Sequence, residues 1–440
     1  MGMGRTGIYG TKGNQIMPRK LSLKAYADNS ITTAAIANDA VTAAKIPSGA
    51  VVADIADGSI TTAKLANNAV TGGKINPDSV QLGRRNKIHN GDARVAQRGP
   101  SSAQTVATVL DRWVVDTYNQ DQLALQISQS TDTPDGMGFS HSHLINVNAA
   151  ESAVASDEYC RYYQSIEARD MLDACYGSSS PKKLQLSFWV KATGTNVTGT
   201  YGVTFWIQDA NKYQTASYTI NSANTWEKKT IEVATSGHAT INNDNGIGLR
   251  VNFFLMAGSG YTSGTYANQW GTAAGSPGNT HFAGGHQLNT FTSTVNNKWY
   301  MTGCQLEVAD TVSDFEHRTF EEELRKCQRF YFHTYGAGHD SYTYGWSFNQ
   351  SYNGMIYFIG TGNYGMAPLN AVFPVEMRAG PTVTTRGNGG TASRITYWNG
   401  SEETHGTINR NERQVTGMSK DAGTNTEDFY SCGMEFSAEI

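Results

Sequence analysis

The sequence predicts a mainly β chain, built as an elongated assembly of identical copies. Its N-terminal repeat winds together with other copies, and β-sandwich or jelly-roll modules joined by one short helix follow. Three observations predict this. Apolar residues between Asn29 and Val80 recur at a step of five. Several later segments alternate apolar and polar residues between Gly-, Asn- and Ser-rich stretches. One helix start is well signalled, at Thr319-Phe-Glu-Glu322.

The repeat comes first because a fixed internal period decides the architecture. The apolar positions are Ile31, Ile36, Val41, Ile46, Val51, Ile55, Ile60, Leu65, Val70, Ile75 and Val80. One step, from Val51 to Ile55, is four. Turn-forming pairs such as Asn38-Asp39, Asp57-Gly58 and Asn67-Asn68 recur between them. On a helix a step of five turns the apolar position by about 140°, so no face stays apolar. On a strand an odd step sends successive apolar residues to opposite faces. Short extended pieces separated by turns fit the pattern. One such chain buries almost nothing, so the positions Ile31 to Ile75 are read as the seam of an intertwined shaft made by several copies. A disordered linker of the same Ala-, Thr- and Asn-rich composition is the alternative.

The remaining frame follows from composition. A chain of 440 residues is expected to hold a few structural units. Charged residues are 16% of the chain, which is low, and glycines number 46. That mixture suits β structure rich in turns. A net charge of −4 gives no reason to expect a nucleic-acid partner. No apolar run reaches the roughly 18 residues that span a bilayer, and the N-terminus has no apolar signal core. Cys160, Cys175, Cys304, Cys327 and Cys432 are widely spaced with no C-x-x-C, so free and mostly buried thiols are expected. Residues 1–27 carry five basic residues and no acid, and read either as a flexible tail or as a peptide that orders on a larger assembly.

Strand-like alternation begins after Asn86. Leu184, Leu186, Phe188 and Val190 fall on one face, and Tyr201–Ile207 and Leu249–Leu255 repeat the pattern. Thr319 and Glu322 make a capping box, after which Phe320, Leu324, Cys327 and Tyr331 share a face. Glu321–Arg325 and Glu322–Lys326 are spaced to pair, each worth roughly a few tenths of a kcal/mol. The expected order is a 1–27 N-terminal peptide, a 28–85 shaft, an 86–318 sandwich, a 319–332 connecting helix and a 333–440 β tip.

Three groups of residues resemble a known family. They are Ile88-His-Asn-Gly-Asp-Ala-Arg-Val-Ala-Gln-Arg-Gly99 with Asp111-Arg-Trp113, then Ser187-Phe-Trp-Val-Lys191, then Cys304-Gln-Leu-Glu307 with Phe315-Glu-His-Arg318 and Glu323–Tyr331. Phe373–Pro381 and the closing Phe436-Ser-Ala-Glu-Ile440 belong with them. Together with the repeat, they resemble the tail fibres of tailed bacteriophages and their carbohydrate-binding-like sandwiches. The resemblance implies a homotrimeric virion protein made in the host cytoplasm. It would join the phage tail or an adaptor protein by its N-terminus and attach to a host cell-surface glycan. A capsule-degrading tailspike enzyme and a connecting neck or baseplate fibre are the alternatives.

Candidate residues were weighed against plainer roles. Asp111-Arg112-Trp113 reads as buried structure, with Arg112 expected to meet Glu167, Glu307 or Glu316. His141-Ser-His143 resembles the iron-binding His-x-His of some phage fibres, but reads better as solvated loop histidines. Glu402-Glu403 with His405 and the triple Glu321–Glu323 have an enzymatic look, yet adjacent strand residues point apart and the triple Glu suits a helix start. No catalytic residue, cofactor or metal is expected. Aromatics in polar segments are the sugar-binding candidates: Tyr342, Tyr344, Trp346, Tyr352, Tyr397 and Trp398. Sugar rings stack their apolar faces on such side chains.

Overall fold

Alternating segments become paired strands where one face can be buried, and this chain does so twice over. A computed structural model describes residues 84–99, 101–103, 107–108, 110–272, 282–285, 290–334, 356–361, 371–386, 392–397, 402–420 and 427–440. The repeat with its seam positions and the basic segment 1–27 lie outside them.

Thirteen strands form two antiparallel sheets. The first sheet has the order β1 (Ser101–Ala103), β4 (Ala124–Ser130), β5 (Ser142–Ala149), β13 (Lys298–Val308), β7 (Leu184–Thr193), β10 (Glu227–Val233). The second runs β12 (Gly271–Thr272), β9 (Lys212–Ile220), β8 (Gly199–Ile207), β11 (Ile247–Ala257), β6 (Tyr159–Glu167), β3 (Val114–Tyr118), β2 (Ala107–Thr108). The three segments with clear alternation are β7, β8 and β11. Their apolar sets, such as Leu186, Phe188 and Val190 with Val203, Phe205, Val251 and Phe253, are fully buried in one shared core. Each such side chain contributes about 1.5–3 kcal/mol by leaving water. The sandwich architecture follows from two one-sided apolar sheets that cover each other.

A short helix α1 (Ser259–Thr262) lies in the β11–β12 connection, and helix α2 (Phe320–Gln328) follows the sandwich. The capping box of α2 forms as read: Glu322 N donates to Thr319 Oγ1 and Thr319 N donates to Glu322 Oε2. The Glu321–Arg325 pair is present at 2.8 Å. Two expectations are corrected. Glu322 is committed to the cap, so it does not pair with Lys326. Phe320 is 52% exposed, whereas Cys327 and Tyr331 of the expected face are buried and Glu323 is buried with them.

A third antiparallel sheet follows. Its order is β14 (Tyr331–His333), β21 (Glu427–Ser437), β18 (Arg394–Tyr397), β19 (Glu402–Arg410), β20 (Gln414–Lys420), β16 (Ala371–Val372). β15 (Ile356–Thr361) and β17 (Thr382–Arg386) also pair with β21. Phe436 on β21 stacks on Phe332 and packs against Phe373.

The motifs that are scattered in sequence meet at one buried polar junction. Residues 84–99 have no regular structure, so their backbone groups need side-chain partners. Asn90 supplies several: its side chain donates to Val95 O and Asp111 O and accepts from Val95 N. Its own N donates to Glu323 of α2, and its O receives Trp113 Nε1 at 3.2 Å. Asn90 has φ +54°, a left-handed conformation that Asn tolerates. Gly91 is required by contact: a Cβ there would lie 2.1 Å from Cys304 O.

Arg112 crosses the junction. It stacks on Phe330 at 3.3 Å, donates to Ser165 O and pairs with Glu439, the penultimate residue. The expected partners are therefore corrected. Glu167 is taken by Arg329 through two bonds of 2.7 and 2.9 Å, Glu307 accepts from Ser313, and Glu316 serves Asn86 and Arg318. Arg98 reaches Glu439 as well, at 3.2 Å. Burial pushes the Glu439 carboxyl up, but Arg112 and Arg98 outweigh it and hold its pKa below the ordinary value.

Replacing Asn90 by Ala orphans three buried backbone groups and strains the left-handed backbone. Urea denaturation should show a loss of roughly 3–5 kcal/mol, with Asn90→Gly relieving only the backbone part. Glu439→Ala leaves Arg112 buried without its carboxylate and should cost roughly 3 kcal/mol in the same measurement.

Candidate functional site

Of the sugar-binding candidates drawn from the sequence, one lies within the described residues. Tyr342, Tyr344, Trp346, Tyr352 and Trp398 lie outside the described residues. Tyr397 lies on β18 opposite Tyr430 of β21. Of the residues with an enzymatic look, Glu402, Glu403 and His405 lie on β19. The triple Glu divides its work: Glu321 pairs with Arg325, Glu322 caps the helix, and Glu323 holds Asn90 N and Arg318.

A different set of side chains does converge, on the outer face of the second sheet. Strand pairing places it. In β6 the core takes Cys160, Tyr162 and Ile166, which leaves Tyr159, Arg161, Tyr163 and Ser165 facing out. Register then aligns Asp116 with Arg161, Asn252 with Tyr163, and Arg250 with both Ser165 and Trp206. Trp206 in turn faces Tyr213 across β8 and β9.

The geometry is ordered by guanidinium groups. Arg161 holds Asp116 Oδ2 through two nitrogens at 2.7 and 2.8 Å and reaches Asn252 Oδ1 at 3.2 Å. Arg250 lies between Tyr163 and Trp206, 4.3 and 4.9 Å from the two rings, and donates to Ser165 Oγ. Trp206 stacks on Tyr213 with centroids 5.8 Å apart. Stacking a cation between rings fixes all three planes. Tyr163, Arg250, Trp206 and Asp116 remain partly exposed, while Asn252, Ser165 and Arg161 are buried beneath them and hold them in place.

One end of this face is walled by a second apolar cluster: Tyr159, Tyr213, Phe254, Tyr261, Phe282 and Ala283. Alternation along β11 puts Phe254 in that outer cluster and Leu255 in the core, and a register shift between Phe254 and Met256 lets Met256 join the core as well. Beyond it, Tyr118 stacks on Tyr159 and is 41% exposed. Burial lowers the Arg250 pKa from its ordinary value and pushes the Tyr159 hydroxyl up to about 12. The phenol therefore stays a neutral hydrogen-bonding group at all ordinary pH values.

Sequence reading missed this face, although its signal was present. Trp206, Arg250 and Asn252 occupy the polar positions of the alternating segments whose apolar positions were read as core. Polar positions on a strand are ordinarily solvated and carry no information until pairing shows which strands are neighbours.

The histidines are corrected too. His143 is not a solvated loop residue. It is fully buried on β5, 5.1 Å from the Trp113 ring. Its Nε2 meets Asn90 O at 3.0 Å, and a carbonyl only accepts, so Nε2 carries the proton and Nδ1 accepts from Tyr162 OH. His141 is partly exposed and lies beside Ser140 Oγ.

No protein-family description matches the chain, and no curated protein matches it. Among solved structures, the chain is similar to the enzymatically active domain of tailspike protein 4 of bacteriophage CBA120, at TM-score 0.28 and 14% identity over 51% of this chain. The match spans 21% of that tailspike domain. TmCBM61 in complex with β-1,4-galactotriose aligns at TM-score 0.25 and 8% identity, over 51% of this chain and 99% of that one. The CBM22-1–CBM22-2 tandem domain of Paenibacillus barcinonensis Xyn10C aligns at TM-score 0.26 and 9% identity, over 82% and 100%. Likenesses at these scores assign no family and no activity to the chain.

His143 yields a pH prediction. Burial lowers its pKa from 6.5 to about 3, and burial likewise lowers His89 and His333. Above about pH 6.5 these groups are neutral whether the chain is folded or unfolded, and stability is unaffected. Below that value the unfolded chain binds the proton and the folded chain does not, so stability falls as pH falls. For His143 alone the loss by pH 4.5 is roughly 2–3 kcal/mol. Denaturant midpoints measured from pH 7.5 to 4.5 should fall, and more shallowly in His143→Gln.

Proposed function

We propose that this chain is a tail fibre of a tailed bacteriophage: a homotrimer, joined to the virion by its N-terminus, that attaches to the host by binding a surface glycan without cleaving it. The observation that carries the binding reading is the outer face of the second sheet. Trp206, Arg250 and Tyr163 offer stacked, partly exposed planar surface with the partly exposed Asp116 carboxylate near it, and the buried Asn252, Arg161 and Ser165 hold these groups in place. Glycan recognition asks for that combination, because sugar rings combine apolar C–H faces with a rim of hydroxyls.

Binding without cleavage is favoured by the state of the carboxylate. Hydrolysis of a glycosidic bond uses two carboxyl groups roughly 5–9.5 Å apart, one of them free to donate a proton. Asp116, the partly exposed carboxylate on this face, is clamped by the Arg161 guanidinium, and Glu167, buried at the end of β6, by that of Arg329. The virion role is supported by the order of the motifs along the chain and by the repeat, whose step of five is satisfied by several copies around one axis. Trimerisation would hold three such faces on one shaft and convert weak sugar contacts into avidity.

The full-length protein should sediment as a trimer, and deletion of residues 28–82 should weaken assembly. On an array of bacterial surface polysaccharides, Trp206→Ala should lower binding by about tenfold or more and leave the trimer intact. Binding that survives both Trp206→Ala and Arg250→Ala overturns the assignment of the face. Shortened chains appearing after incubation with a bound polysaccharide would establish the tailspike alternative. A trimer that binds no glycan on the array would favour a connecting fibre.

A further inference from the structure

The first sheet also turns aromatic residues away from the core. In the Ser187–Lys191 stretch of β7, Phe188 and Val190 are buried in the core. Trp189 and Lys191 therefore point to the opposite side of the sheet, since strand neighbours alternate. On β13 the same alternation buries Trp299 and Met301 in the core and turns Tyr300 outward. Register aligns Lys191 with Tyr300, and Trp189 with both Thr302 of β13 and Lys228 of β10.

Trp226, just before β10, is fixed over that face from several sides. Its ring lies 5.1 Å from Lys191 Nζ and 6.1 Å from the Tyr300 ring, edge to face. Its Nε1 donates to Asp132 Oδ1 at 3.1 Å. Asp132 belongs to the β4–β5 loop, where Ser142 Oγ donates to its backbone oxygen, and its Oδ2 takes the Lys191 ammonium. An indole held by a cation, a neighbouring ring and a carboxylate presents its plane without further ordering.

Exposure separates the supports from the surface. Lys191 and Tyr300 are buried beneath, at 7% and 6% exposed. Trp189 and Trp226 are partly exposed, and Asp132 and Lys228 are exposed. Because Trp189 pairs with Lys228, Trp226 is its diagonal neighbour, at roughly 7–8 Å between backbones, and one ligand can touch both indoles. Each Asp132 oxygen is met by one protein donor, which leaves lone pairs free to accept from a ligand.

We infer that this face is a second sugar-binding platform. A neutral pyranose stacks its C–H face on Trp226 and Trp189, gives one hydroxyl to Asp132 and receives a hydrogen bond from Lys228 on another. The exposed polar groups beside the indoles are one carboxylate and one ammonium, and opposite charges side by side favour a hydroxyl-rich neutral ligand over an anion or a cation. A protein partner would ask for a contiguous apolar patch, and here charged side chains interrupt the aromatics. The inference rests on the glycan-binding reading for its class of ligand, but none of its residues belongs to the outer face of the second sheet. Platforms on both sides of one sandwich let each copy engage two glycan chains, and losing either lowers the avidity.

The test uses full-length Trp206→Ala protein, in which the other face is disabled. Cellotriose, β-1,4-galactotriose and mannotriose are the probes, in saturation-transfer NMR and calorimetry. At least one trisaccharide is expected to bind. Adding Trp226→Ala should weaken it at least tenfold, and adding Asp132→Ala, at an exposed loop position, several-fold. Binding by the wild type that vanishes in Trp206→Ala overturns this inference and leaves the face of the second sheet standing. Binding retained in Trp206→Ala and lost on adding Trp226→Ala upholds it, whatever becomes of that other face. No binding of any trisaccharide, or binding unaffected by both Trp226→Ala and Asp132→Ala, also overturns it. Loss of the trimer on sedimentation of Trp226→Ala would make this face a contact between copies and overturn the assignment. Circular dichroism checks the fold of Trp226→Ala, and Asp132→Ala decides the matter if that variant is unfolded.

Discussion

A buried backbone without regular structure must find hydrogen-bond partners among side chains, and the described architecture is organised around one such stretch. Residues 84–99 thread between the sandwich and helix α2, and Asn86, Asn90 and Gln97 answer their backbone demands. Asn86 Oδ1 accepts from Ile88 N and Leu306 N, so one amide ties the segment to β13. Gln97 Nε2 donates to Asp111 Oδ1 and to Tyr331 O, which ties the same segment to β14. Asn90 joins the segment to the turn before β3, to β5 and to α2 at once. Polar contacts of this kind are directional, so they fix relative positions where apolar contact alone would permit sliding.

The third sheet is registered by the same junction. Its last strand, β21, ends with Ala438 N donating to Phe330 O and Glu439 pairing with Arg112 and Arg98. Arg378 adds bonds to Asn245 O and Ala438 O. The closing residues of the chain thus complete a site begun at Ile88, which explains why motifs hundreds of residues apart belong together. Arg112 also donates to Ser165 O, and Ser165 supports Arg250 through its hydroxyl. The junction and the outer face therefore share strand β6, and the face is carried by a rigid scaffold rather than by loops.

On the outer face of the second sheet the guanidinium groups are neutralised by Asp116 or held between rings, and what remains available is planar surface. That arrangement suits stacking of a neutral ring, since burial beside a partner consumes a charge.

Much of the fold was legible because strand alternation is a local property. Leu184 to Val190, Tyr201 to Ile207 and Leu249 to Leu255 announce one apolar face each, and the capping box at Thr319 announces a helix start. Free buried thiols were legible as well, and Cys160, Cys304 and Cys327 are buried and unbridged. Sites were not legible, because they are made by register between distant strands. Asp116 meets Arg161, and Arg250 meets Trp206, only after β3, β6, β11 and β8 have been placed side by side. His143 shows the same limit: a polar residue on a strand looks solvated until packing buries it. Arg112 was read as buried, but only packing names Glu439 as its partner. The sequence by itself determined which alternating segments become strands and where the helix begins. The tertiary structure decided which polar side chains are structural and which stay available, because only the pairing of strands brings charges within hydrogen-bonding distance.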